Sequence, residues 1–355
     1  MARNGHFTWT RTGGHRGRIP EAGSTRLGLL TGLMIAALLL GACSGGSSAT
    51  TPPSSAGTPT TAPTAAASTP AAPAAPSAAA SAAASGAAGS PSASNLNALL
   101  PANIRSSGVI TVGSEVDYPP MEMFAANGTT VQGADYDLAQ AIGKLLGVQI
   151  KFVNNAFAGL IPGLTAGRFD MVMSAMTDKR SREKVVSFVD YFAVGTGIVV
   201  KAGNPLKING LIDLCGKQVA LPAATIQVDI ANAEQPKCKA AGRPEIIIKQ
   251  VPTPSDGFVQ IVSGASAANM VDYPVAAYFA KTSNGKLEAL PTQVGQILPY
   301  GIAFRKTDTQ LMNAVQQALH QLVQDGTYAA ILNKWGVSGG SIPLSKMVIN
   351  GAISD

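Results

Sequence analysis

The residues of this chain best suited to chemistry are an arginine that follows a strand-like run and an aspartate that ends one. Arg182 lies in Ser174–Asp190 (SAMTDKRSREKVVSFVD), directly after the apolar run Phe169–Met173, which only Asp170 interrupts. The pattern predicts a buried strand, a turn and the start of a helix. Small polar residues ahead of a helix N-terminus leave backbone N–H groups pointing outward. An arginine fork beside them can grip a carboxylate in bidentate geometry. The turn holding Ala175 and Thr177 therefore reads as a seat for a small anion. The alternative is that Thr177 caps a helix and Arg182 is a surface charge in company with Lys179, Arg180 and Lys184. Asp272 closes Ala268–Val271, and an acid at such a strand end, facing a cleft, needs a partner. A bound ammonium would supply it; capping of the next helix is the alternative. The histidines are His6, His15 and His320, too few and too scattered for a zinc site, and no cofactor is expected.

The elements that position these residues occupy the last 260 or so of 355 residues. The formal charge of +6 is uneven: residues 1–95 carry five arginines against Glu21, and the remainder holds 21 basic and 19 acidic side chains. A nearly balanced domain without a basic stripe argues against nucleic-acid binding. Residues 27–40 (LGLLTGLMIAALLL) follow Arg26 and are uncharged. A helix of that length spans about 21 Å, short of a hydrocarbon core of about 30 Å, so it reads as the apolar part of an export signal covering 1–42. Residues 44–95 are almost entirely Ala, Ser, Thr, Pro and Gly. They cannot bury enough apolar area to offset ordering, so 43–95 is expected to be a disordered tether. An exported chain with two cysteines beyond the tether, Cys215 and Cys238, is expected to pair them in a disulfide.

Strand–helix alternation runs through the rest. Residues 96–107 predict a lead-in helix ending near Pro101, and Gly108–Gly113 a buried strand. Tyr118 follows in an extended Pro-containing loop, Asp135 and Asp137 open a helix, and Phe157 precedes a further apolar run. Val194–Lys201 and Gln296–Phe304 read as two crossings between halves of the domain. Residues 338–355 read as a loosely held tail.

Several of these segments together resemble the family 3 extracellular solute-binding proteins, receptors of polar amino-acid ABC importers. The carriers are SAMTDKRSREKVVSF with DYF, SEVDYPPMEM, the FAGLIPGL run, AATIQ at 223–227, ANMVDYP at 268–274 and the closing DGTYAAILNKWGV. Leu40-Gly41-Ala42-Cys43 resembles a bacterial lipobox, which implies a diacylglycerol and a further acyl chain on Cys43. The resemblance implies an α/β, two-lobe periplasmic-binding-protein-like fold with two hinge crossings (type II). The solute-binding domain would cover 96–355, lobe 1 about 108–195 plus 301–340 and lobe 2 about 196–300. It implies that Tyr118 and Phe157 sandwich an amino acid, although Phe157 could equally be core and Tyr118 plain packing. Arg182, with N–H groups near Ala175 and Thr177 and at Thr225, would take the α-carboxylate, Asp272 the α-ammonium. Glu115 would read the ligand side chain, and with Glu122 it leans toward a basic or amide group.

The function expected from this is a monomeric, lipid-anchored receptor at the outer face of the cell membrane that hands an amino acid to a permease. A tethered sensor without transport is one alternative. A cyclohexadienyl-dehydratase-like enzyme is another, with Glu115 as its loose candidate for a general acid.

Overall fold

The computed structural model describes residues 96–354, and the expected signal, Cys43 and the tether lie outside them. The centre of the fold is a pair of long strands, β7 (Val186–Lys201) and β12 (Val294–Arg305). They stand side by side in a nine-stranded mixed sheet ordered β5-β1-β6-β12-β7-β10-β8-β9, with β11 (Leu287–Ala289) also on β7. On one flank β1 (Val109–Ser114) runs parallel to β5 (Gln149–Asn154) and β6 (Met171–Val172). On the other, β10 (Ala268–Asp272) pairs antiparallel to β7 and parallel to β8 (Gln218–Pro222), which is parallel to β9 (Ile247–Val251). Nearly every residue of β7 is buried, the signature of a strand covered on both faces.

The two lobes meet where this central pair loses register. The β7–β12 pairing shifts between Val294 and Leu298 and again between Tyr300 and Gly301. The run expected to begin as a crossing at Val194 is thus one sixteen-residue strand from Val186, shared by both lobes. Gly197 is required there by proximity. A Cβ at this position would lie 2.6 Å from the Cβ of Ala276 on α7 (Tyr273–Thr282).

The largest cluster of buried side chains runs through both lobes, from Leu138 and Ile142 to Phe258 and Val271. On the first, α2 (Ala134–Leu146) buries Leu138, Ile142 and Leu146 at helical spacing, against α8 (Thr309–Gln324) and α9 (Thr327–Trp335). Each such side chain contributes about 1.5–3 kcal/mol. On the second, Ile198, Leu221 and Met270 pack around Cys215 and Cys238, which form the expected disulfide with Cα atoms 5.5 Å apart.

Helical residues 96 and 97 give way to a turn before Pro101, as expected, but Pro101 then takes the N-cap position of a second helix, α1 (Ala102–Ser107), which Gly108 ends at φ +66°. One expectation is corrected. The tail is not loose. Ile349 bridges Val189, the N–H of Asp190 donates to Val348 O (3.0 Å), and Phe188 and Asn350 exchange bonds of 2.8 and 3.1 Å.

Candidate functional site

The turn after β6 is the first wall of the site. Ala175 has φ +44°, a left-handed backbone that an alanine adopts only when its surroundings impose it. Asp135 imposes it here: its Oδ2 accepts the Ala175 N–H at 2.9 Å. This corrects the expectation that the Ala175 amide serves a bound anion, since that donor is spent inside the protein. Thr177 bridges Tyr300 through flanking bonds, Asp178 N–H to Pro299 O (2.8 Å) and Gly301 N–H to Met176 O (2.9 Å). In such a pair the N–H and C=O of Thr177 itself point away from Tyr300.

Arg182 sits in α4 (Arg180–Glu183), a four-residue turn of helix. The charged run predicts a solvated start, and Arg180 and Lys184 are exposed, but Arg182 is only 8% exposed. Its Nη1 donates to Thr177 O at 2.7 Å and its Nη2 to Ala224 O at 2.9 Å. The guanidinium stands 5.3 Å from the centre of the Phe157 ring, a cation–π contact. Burial lowers its pKa to about 10, with Asp229, Asp272 and Asp178 opposing, so it stays charged at neutral pH. Phe157 is half-buried, a platform for Arg182 and a partner of the Leu160–Leu164 cluster at once.

The second wall comes from the other lobe. Ala224 is also left-handed (φ +63°), and it turns the chain from β8 into α5 (Ile226–Ala240). Thr225 holds the N-cap position, but its hydroxyl donates to Pro222 O at 2.7 Å rather than capping the helix. The first N–H groups of α5 therefore stay available beside Arg182. Asp272 stands at the N-cap position of α7, yet its carboxylate does not cap either. Oδ1 accepts from Gln227 Nε2 (2.8 Å) and Oδ2 from the Tyr118 hydroxyl (2.8 Å), which in turn accepts the Asp272 N–H (2.9 Å). Burial raises Asp272 to about 6 against these bonds, a contact from Tyr300 and the charge of Arg182.

Glu115, 5% exposed, accepts the Phe157 N–H on Oε1 at 3.4 Å. Burial raises it to about 7, with Asp117 adding to the rise and that N–H opposing it. Both acids are thus poised to become fully charged when a cation arrives.

Glu115, Tyr118, Phe157, Ala175, Thr177, Arg182, Thr225 and Asp272 all line one narrow pocket. Sequence reasoning gave no role to Gln227, which is 1% exposed and orients Asp272, or to Tyr300, also 1% exposed. Gln227 stood in the quoted AATIQ turn, two places beyond Thr225; nothing local marked Tyr300, which reaches Asp272 only through the β12 crossing. The walls close on each other: besides Tyr118–Asp272 and Arg182–Ala224, Lys179 pairs with Asp229 and Ser255 Oγ donates to Asp117 at 2.7 Å.

Comparisons with known proteins place the chain among amino-acid-binding proteins. An arginine-binding protein, ArgT, of Corynebacterium glutamicum is 26% identical over 249 residues, covering 69% of this chain and 80% of its own. A solved ancestral arginine-binding protein bound to arginine is 36% identical, with TM-score 0.58, over 64% of this chain and 98% of its own. An ancestral amino acid-binding protein described as a precursor of cyclohexadienyl dehydratase is likewise 36% identical, with TM-score 0.59, over 66% and 97%. Residues 110–338, most of the folded part, match the bacterial extracellular solute-binding proteins, family 3, and the chain belongs to that family.

Proposed function

We propose that this protein is an extracytoplasmic receptor for an L-amino acid with a cationic side chain, arginine first, which it delivers to an ABC permease. The observation that carries the reading is the charge layout of the cavity. The pocket holds one buried guanidinium, beside the open end of α5, and two buried acids, Asp272 and Glu115. Arg182 and the N–H groups of α5 would hold the α-carboxylate, and Asp272, oriented by Gln227 and Tyr118, the α-ammonium. Tyr118 and Phe157 would flank the carbon chain. Glu115, on which burial and Asp117 act to favour the neutral form, would meet the distal charge. The arginine-binding relative and the arginine-bound ancestral protein support the choice of ligand. Lipid on Cys43 would hold the receptor at the membrane beside its permease.

The test is a thermal-shift panel of the common amino acids, followed by calorimetry. A ligand at a hundred times its dissociation constant adds about 2.7 kcal/mol of stability. A strong response to arginine or lysine is expected, and silence to both would sink the cationic reading. A second reading, a dehydratase on this fold, draws on Glu115, because an acid at about 7 in a cleft can act as general acid. Product formation from prephenate-like acids would decide for it.

A further inference from the structure

The cavity wall at Ser174 rests on two carboxyl groups, Glu122 on β3 (Glu122–Phe124) and Asp135 in the first turn of α2; both are 0% exposed. Glu122 Oε1 accepts the Ser174 hydroxyl at 2.9 Å, and Ser174 Oγ accepts the N–H of Glu115 at 2.9 Å. Asp135 Oδ2 accepts the N–H of Ala175 at 2.9 Å and the hydroxyl of Tyr191 at 2.7 Å. Because Ser174 and Ala175 are adjacent, these bonds bring the two carboxyl groups together, and each acts on the other's titration. Among the described residues, no N–H or O–H donor reaches their remaining oxygens, Glu122 Oε2 and Asp135 Oδ1. The titratable groups facing the pair are Glu115 at the end of β1, Tyr118 on β2 (Asp117–Tyr118) and Tyr191 on β7, none of them a cation.

Two neighbouring carboxylates in a dry interior, with no cation among the groups facing them, cannot both stay charged. A proton between them supplies the one donor that the geometry lacks. We propose that Glu122 and Asp135 are positioning residues that share one proton, and that the protonated pair holds the two loops carrying Glu115 and Ala175–Thr177 in their ligand-gripping places. This rests on the binding function proposed above. The link is direct on both arms: Glu122 reaches Glu115 through one hydroxyl, and Asp135 holds the strained amide two residues before Thr177. Loss of the proton would place a second negative charge under both loops at once.

Glutamine at position 122 keeps the acceptor for Ser174 and a permanent donor for Asp135, whereas alanine removes both. The full chain is compared as wild type, E122Q and E122A by ligand-free thermal unfolding from about pH 5 to about pH 9, across the range where such an acid titrates, and by calorimetry with L-arginine at neutral pH. A carboxyl kept protonated by the fold lends stability that is lost as pH rises. The wild-type midpoint is therefore expected to fall relative to E122Q over that range. E122Q is expected to bind arginine at least about tenfold more tightly than E122A. Superimposable pH profiles for wild type and E122Q would overturn the shared proton. Equal losses of affinity in E122Q and E122A would overturn the positioning role. Should E122A fail to fold, the pH profile of E122Q decides the matter. If wild type binds no amino acid the receptor reading falls, while the ligand-free profiles still judge the proton.

Discussion

Arg182 is a buried cation whose fork spans the cleft between the Thr177 and Ala224 carbonyls, so its loss is felt twice. A ligand carboxylate would sit in a dry site without its counter-charge, which costs about 3–5 kcal/mol. Arg182→Ala should therefore weaken arginine binding by at least about a hundredfold, and lysine there should rescue little, because a single ammonium cannot span both carbonyls. Wild-type affinity in calorimetry of Arg182→Ala would remove this residue from the site. Glu115 and Asp272 give a second prediction, with the sign set by burial. Both are raised, to about 7 and about 6, in the ligand-free form. A cationic ligand favours their charged forms, so affinity should be full above pH 7 and fall as pH drops toward 6. The ligand-free protein should respond oppositely at these two groups: its fold binds more protons than the unfolded chain below about pH 7, so they add stability as pH falls. Glu115→Gln should flatten the upper part of both curves, measured as calorimetric affinity and unfolding midpoint against pH.

At the scale of elements, the disulfide ties the turn after Leu214 to α5, the helix whose first turn opens on the cavity. On the chain-entropy account, closing this loop of just over twenty residues stabilises the fold by about 3 kcal/mol. Cys215→Ser with Cys238→Ser should lower the denaturation free energy by that order. An unchanged midpoint would show that packing alone secures the second lobe. The central strands are the other sensitive element. Gly197→Leu must push against α7 where even a Cβ is 2.6 Å from Ala276, an overpacking cost of about 1–3 kcal/mol. Arginine affinity should drop with it, since α7 begins directly after Asp272.

For the whole molecule, the contacts across the cleft describe a shut form: Tyr118 to Asp272, Arg182 to Ala224, Asp117 to Ser255 and Lys179 with Asp229. Breaking a few polar contacts is a modest cost, so an open population without ligand is expected. Adding arginine should then reduce the radius of gyration seen by small-angle scattering. Two identical curves would mean that binding does not proceed by closure.

What the amino-acid order determined by itself was the kind of element and the kind of residue at each wall. Alternation, turn chemistry and the motifs around Arg182, Thr225 and Asp272 were legible because each depends on neighbours within a few positions. The tertiary structure decided which groups remain available. Ala175 spends its N–H on Asp135, forty residues away, and Asp272 meets Tyr118 across 154 positions. The tail over 338–355 looked loose because its partners, Phe188 to Asp190, lie on a distant strand. Burial decided the rest: Arg182 and Lys184 stand in one charged run, and only the packing of two lobes takes the first out of water and leaves the second in it.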